Sequence, residues 1–193
     1  MHALTRSGRI VALTCLLGAA PGGEALADPL PQREGFTMEL GVGFGGIQVA
    51  QLNQFGRERV DTGFEPHAIS FGAFIGDDVA LLLRWKSTYH DTPNSAGEEA
   101  HRFLGTMALH VQWWFRERWF VAAGAGVAAF GYGIGGAEGD PPWRYGGAAA
   151  ARIGYALLQW RHHAVKISVE AVAGFFADGA ALGETLNLEW QLF

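Results

Sequence analysis

From Phe36 onward the sequence repeats one pattern: large apolar side chains at every second position, small or polar ones between them, in stretches of strand length. A period of two fits a pleated strand, whose successive side chains point to opposite faces, and not a helix of 3.6 residues per turn. The first stretch sets Phe36, Met38, Leu40, Val42 and Phe44 against Thr37, Glu39, Gly41, Gly43 and Gly45. A polar stretch from Gln48 to Thr62 follows. A second strand is expected over about 66–75, with Ile69, Phe71, Ala73 and Ile75 on its apolar face and a tight turn at Gly76-Asp77-Asp78.

The third strand is the most telling. Val79, Leu81, Leu83, Trp85 and Tyr89 alternate with Leu82, Arg84, Lys86, Thr88 and His90, so two cations share a face that cannot meet hydrocarbon. Beyond a polar loop from Asp91 to Glu99, Phe103, Met107, Leu109, Val111 and Trp113 oppose Arg102, Thr106, His110 and Gln112, and Arg116-Glu117-Arg118 turns the chain. The fifth strand, about 119–130, carries Trp119, Val121, Ala123, Ala125 and Val127 opposite Gly124 and Gly126; a Gly-rich loop then ends at Asp140-Pro141-Pro142. In the sixth, about 144–157, Tyr145, Ala149, Ile153, Tyr155 and Leu157 oppose Gly146, Ala148, Ala150, Arg152 and Gly154, and Gln159 to His163 connect it onward. The seventh sets Val165, Ile167, Val169, Ala171 and Phe175 against Lys166, Ser168, Glu170 and Gly174. After Ala177-Asp178-Gly179, the eighth sets Leu182, Leu186, Leu188, Trp190 and Leu192 against Gly183, Thr185, Asn187, Glu189, Gln191 and Phe193.

Composition agrees with pleated, tightly packed backbone: 28 glycines, 12% aromatic residues and only 17% charged ones. No apolar run is long enough to span a bilayer as a helix. A net charge of −5 with no Lys/Arg cluster leaves no electrostatic footprint for nucleic acid. Residues 1–27 read as a secretory signal: Arg6 and Arg9, then an apolar stretch from Ile10 to Ala20, then Ala25-Leu26-Ala27 as a small-x-small cleavage site before Asp28. Cleavage after Ala27 would leave 193 − 27 = 166 residues, with 28–34 as a polar lead-in and 35–193 as the folded domain. Cys15, the one cysteine, falls in the removed segment; Thr14 before it disfavours a lipid-anchored cysteine.

An exported chain of eight alternating strands points to a closed antiparallel barrel. Strands can cross hydrocarbon only if every backbone polar group is paired, which requires closure. A soluble barrel or sandwich with a greasy core is the alternative, and side-chain size decides between them. The apolar face carries Phe, Leu, Trp, Ile and Tyr while the other is mostly Gly, Ala, Ser and Thr, and an eight-stranded barrel has an interior barely wide enough for side chains. Bulk therefore belongs outside. The short turns near 76–78, 115–118 and 158–163 fit the periplasmic side, and connections near 48–63, 91–100, 131–143 and 177–180 the outer side. Phe36, Trp113, Trp119, Tyr155, Trp160 and Trp190 then form an aromatic girdle at the periplasmic rim, with Trp85, Tyr89 and Tyr145 at the outer one.

On this pattern and its terminal aromatic Phe193, the chain resembles the small outer-membrane β-barrel proteins, the group that includes the OmpA transmembrane domain and OmpX-like and OmpW-like proteins. The resemblance implies an eight-stranded up-and-down transmembrane barrel in the outer membrane of a Gram-negative bacterium, contact with outer-membrane lipids, and recognition of the C-terminal strand by the outer-membrane assembly machinery. One departure stands out: Phe193 is out of phase with Leu188, Trp190 and Leu192.

The candidate site is the polar inner face. Glu39, Arg84, Lys86, His110, Arg152, Lys166, Glu170 and Glu189 all project inward, with Lys166 the lower, and a charge in so narrow a space must be paired. A packed salt-bridge plug joining neighbouring strands is the expectation; a narrow ion path lined by the same groups is the sharper alternative. A porin-like open pore does not suit eight strands. A third reading, a lipid-modifying envelope enzyme, would draw on His90, Asp91, Ser95, Glu99 and His101 near the second outer loop, whose spacing matches no motif. Gly41, Gly43 and Gly46, with Asp61 further on, fit a dinucleotide fingerprint in letters only, because the strand before them alternates. His162-His163 suggests a periplasmic turn before it suggests a metal. No cofactor, metal or catalytic residue is assigned.

Overall fold

The computed structural model describes residues 33–50, 61–93, 96–133, 138 and 140–193. The signal segment, most of the lead-in, residues 51–60 of the first outer loop, Ser95 and residues 134–137 and 139 of the Gly-rich loop lie outside them. Eight strands run in chain order: β1 (Gly35–Ala50), β2 (Asp61–Phe74), β3 (Val79–Pro93), β4 (Glu99–Phe115), β5 (Trp119–Tyr132), β6 (Arg144–Gln159), β7 (His163–Phe176) and β8 (Gly179–Leu192). Each pairs antiparallel with the next, and β1 pairs with β8 from Met38↔Leu192 to Ala50↔Ala180, so the sheet closes on itself. The chain is an eight-stranded up-and-down antiparallel barrel of transmembrane type, as the alternation requires.

The two faces sort as expected. Phe36, Leu40, Val42, Phe44, Phe71, Leu83, Trp85, Leu109, Val127, Ile153, Val169 and Leu188 are all exposed on the outer surface, an apolar band far larger than a water-facing protein carries. Their sequence neighbours other than glycines are buried in the lumen.

Several strands run further than expected. β1 continues through Ile47 and Val49 to Ala50, and β3 and β4 pair on to Pro93↔Glu99, shortening the loops placed at 48–62 and 91–99. A ladder propagates through polar residues once its neighbours are aligned, so polarity alone does not end a strand. At 14–17 residues the strands exceed the roughly 9–11 that a bilayer needs.

Bulk is not confined to the outside. Trp114, Phe120, Phe74 and Phe193 fill the end of the lumen nearest the short turns, with Leu82, Ala80, Ala156 and Ala164. At the opposite end, Ile47, Val49, Leu104, Phe130 and Ala181 form a second cluster against Tyr132 and Phe176. The expectation of a small and polar interior therefore holds for the middle of the barrel and fails at its ends.

The turn between β4 and β5 is unusual. Arg116 and Glu117 have φ of 50° and 62°, a left-handed conformation that costs a non-glycine residue roughly 1–2 kcal/mol.

Candidate functional site: a charged layer sealed at both ends

Along β8 the inward residues read Phe193, Gln191, Glu189, Asn187, Thr185, Gly183, Ala181; along β4 they read Trp114, Gln112, His110, Ala108, Thr106, Leu104. Both give the same order: aromatic, charged or polar, then apolar. The charged layer is the site predicted from sequence, and all eight of its residues, Glu39, Arg84, Lys86, His110, Arg152, Lys166, Glu170 and Glu189, are buried in the lumen.

Arg84 is the hub. Its guanidinium makes two bonds to Glu170, Nε at 3.2 Å and Nη2 at 2.8 Å, and also reaches Glu189 at 2.8 Å and Glu39 at 3.4 Å. Arg152 holds Glu39 at 3.0 Å and Glu189 at 2.7 Å. Lys166 bonds Glu39 and donates to Gln191 at 2.8 Å. Lys86 lies 2.8 Å from Glu65 and 3.2 Å from Glu170, and donates to Thr185 at 2.6 Å. Four cations thus face four carboxylates, and the layer is formally neutral. Such a buried set is stable only with its remaining hydrogen bonds satisfied. Ser70 donates to Glu39 at 3.0 Å and Ser168 to Glu189 at 3.1 Å. With its amide nitrogen toward Glu39, Gln112 donates to Oε1 at 3.0 Å and accepts from Trp114 Nε1 at 3.2 Å, tying layer to cap.

The expected pairing between neighbouring strands holds for Lys86 with Glu65 and for Lys166 with Glu189, but the arginines reach further. Arg84 on β3 finds Glu170 on β7 and Glu189 on β8, and Arg152 on β6 finds Glu39 on β1, so the main bonds cross the lumen. Long side chains reach across because the barrel is narrow. The space comes from inward glycines: a Cβ on Gly124 would sit 2.6 Å from the His110 ring, and one on Gly41 would sit 2.8 Å from Glu189 Cγ. The supposed dinucleotide glycines 41 and 43 are thus interior spacers in a strand paired on both sides.

Glu65 was not anticipated in the layer. β2 shifts register between Phe64 and His67, so Gly63 and Glu65 face inward on the long-loop side of the irregularity and Ala68 and Ser70 on its short-turn side. Pro66 is the signal for it, since proline in a strand marks an edge or a bulge.

The end near the short turns is closed by Phe193, edge-on to Phe74 at 5.9 Å and to Trp114 at 5.7 Å. This explains its phase: the ring is part of the stopper and not of the outer face. Over it, the Arg33 guanidinium lies 4.2 Å from the Trp114 ring, bonds the Glu117 carbonyl and pairs with Asp78 at 3.3 Å. Burial pulls Arg33 below its ordinary pKa while Asp78 and Glu117 act against that, and arginine keeps its charge regardless. At the far end Arg102 donates to the Tyr132 hydroxyl at 3.2 Å and faces the Tyr132 ring at 5.4 Å.

The girdle residues sit at the short-turn rim on the outer face. Phe36, Trp113 and Trp160 are exposed; Trp119 packs edge-on to Tyr155 at 5.0 Å, and Trp190 stacks with His163 at 5.5 Å, which separates His163 from the exposed His162. Of the enzyme candidates, Asp91 and His101 meet at 2.6 Å across β3 and β4, whereas His90 points into the lumen. Phe44, Phe64, Tyr89, Asp91 and His101 line a rim depression of about 410 Å³. Among the described residues no group of three or more His, Cys, Asp or Glu is placed to hold a metal ion.

No protein-family model and no curated protein sequence matches the chain. Solved structures do. Ail, the attachment invasion locus protein of Yersinia pestis, superimposes with a TM-score of 0.57 at 13% identity, covering 82% of this chain and 99% of Ail; Ail in complex with the heparin analogue sucrose octasulfate scores 0.55. Neisserial surface protein A scores 0.53 at 11% identity, covering 81% of this chain and 96% of its own. With its closed ring of eight strands, this chain has the fold of the small outer-membrane β-barrel proteins.

Proposed function

We propose that the chain is a non-enzymatic barrel of the bacterial outer membrane, exported by a signal cleaved after Ala27, with a solid interior and a structural or surface-interaction role. One observation carries this reading: a neutral charged layer fills the lumen and is capped at both ends by apolar clusters, so the interior is a packed core and not a passage. The parts left open to a partner are the outer strand ends, which rise past the bilayer. The apolar outer face meets outer-membrane lipids, and β8, with Leu188, Trp190 and Leu192 outward, is the strand for the assembly machinery to engage. Reconstituted protein is expected to give a β-rich circular dichroism spectrum, heat-modifiable gel mobility and a silent trace in planar bilayers. A steady conductance would replace the closed core with the narrow ion path.

A second reading, an outer-leaflet lipid-modifying enzyme, draws on the Asp91–His101 contact in the rim depression. Mass spectrometry of lipid A from cells with and without the protein decides it. A mass change that disappears with His101→Ala would establish the enzyme, and unchanged lipid A would remove it.

A further inference from the structure

The short-turn rim is electrically divided. The β2–β3 turn carries Asp77 and Asp78, both exposed, and Glu34 stands exposed at the start of β1. The next turn round the rim, β4–β5, joined to Asp78 through Arg33, carries Arg116, Glu117 and Arg118, and beyond it the β6–β7 turn carries Arg161 and His162, all exposed. These two turns are tied together: Ala156 N donates to the Arg118 carbonyl at 2.8 Å, and Gln159 Nε2 to the Glu117 carbonyl at 3.0 Å. Three arginines and one glutamate therefore share one arc, with a formal charge of 3 − 1 = +2, beside the imidazole of His162.

Directly beneath the arginines, toward the membrane, lies the densest part of the girdle. Trp113 and Trp160 are exposed, and Trp119 and Tyr155 pack against each other between them. Indole and phenol rings settle at the headgroup level, which fixes the arginines at the height of the lipid phosphates.

We propose that this arc, Arg116, Arg118 and Arg161 over Trp113, Trp119, Tyr155 and Trp160, is a binding site for anionic phospholipid headgroups of the periplasmic leaflet. The guanidinium fork suits a phosphodiester, and the aromatic shelf receives the glycerol and upper acyl region. The acidic side of the rim repels the same headgroups, so the barrel would gather anionic lipid on one flank only. The inference rests on the outer-membrane reading above.

The test uses full-length mature protein folded into vesicles of phosphatidylethanolamine and phosphatidylglycerol in equal amounts, with retained lipids identified by native mass spectrometry. Wild-type protein is expected to retain phosphatidylglycerol in preference. The variant R116N/R118Q/R161Q is expected to lose that preference by at least about fivefold. Because asparagine tolerates the left-handed turn, the variant should keep its heat-modifiable mobility. Asp77→Asn should leave the preference intact. Equal retention of both lipids by wild-type protein, or a folded triple variant with unchanged preference, would overturn the proposal alone. Failure of the wild type to enter vesicles at all would overturn the membrane reading and the proposal with it.

Discussion

The inner faces of β5 and β7, two strands with only β6 between them, line one narrow lumen and are built from opposite materials. Between its terminal aromatics Phe120 and Phe130, β5 offers Ala122, Gly124, Gly126 and Ala128, whereas β7 offers Lys166, Ser168, Glu170 and Val172. The difference is a matter of shared volume. Eight strands fix the bore, so every long charged side chain requires a missing side chain elsewhere around the ring. Gly124 of β5 is thus as much a part of the charged layer as the arginines, because it leaves the room that His110 occupies.

The largest expected effect comes from removing the hub. Arg84→Met should destabilise the barrel by about 3–5 kcal/mol, since it leaves Glu170 and Glu189 buried with a net negative charge. The double variant R84M/E170M restores the balance and should recover part of that loss. Urea unfolding in lipid bilayers, followed by tryptophan fluorescence, measures both; an Arg84→Met barrel as stable as wild type would show that the layer is not a coupled set.

Next is the stopper. Phe120→Ala should cost about 3 kcal/mol, because the ring packs 5.1 Å from Trp114 in the fully buried end cluster. If the cap also seals the lumen, the same variant should admit ions in planar bilayers where the wild type is silent.

Filling the empty wall is a smaller insult. Gly124→Ala should lower stability by about 1–3 kcal/mol by pressing on His110, although alanine is the less costly residue in unfolded-chain terms. A neutral result would mean that the two walls are independent. The smallest effect is expected at Asp77, exposed in the β2–β3 turn, where asparagine should change the unfolding free energy by less than about 0.5 kcal/mol.

These contrasts mark how far the sequence could be read. Strand number, the facing of most residues and the eight charged groups were legible because alternation is a local property and charge on a greasy strand has one place to go. The partners were not, since Arg84 meets Glu170 from 86 positions away and nothing in the spacing encodes who reaches across. Glu65 was hidden by the irregularity at Pro66, which reverses the parity of β2. The interior aromatics were hidden by the same rule that revealed the outer ones. Trp113-Trp114 and Trp119-Phe120 are adjacent pairs, so one of each must face inward, and that was the available sign of a capped lumen.

The span of these ion pairs bears on how the molecule is built. Glu39 on β1 finds its cations at separations of 45, 113 and 127 residues, on β3, β6 and β7. A first hairpin entering the bilayer alone would carry the bare carboxylates of Glu39 and Glu65, and the second the bare cations of Arg84 and Lys86, into a solvent that tolerates neither. Strand-by-strand entry is therefore the costly route. The chain gains most by gathering all eight strands at the membrane surface and crossing as one closing ring, a high-contact-order event whose slow step is the meeting of charges first separated by most of the polypeptide.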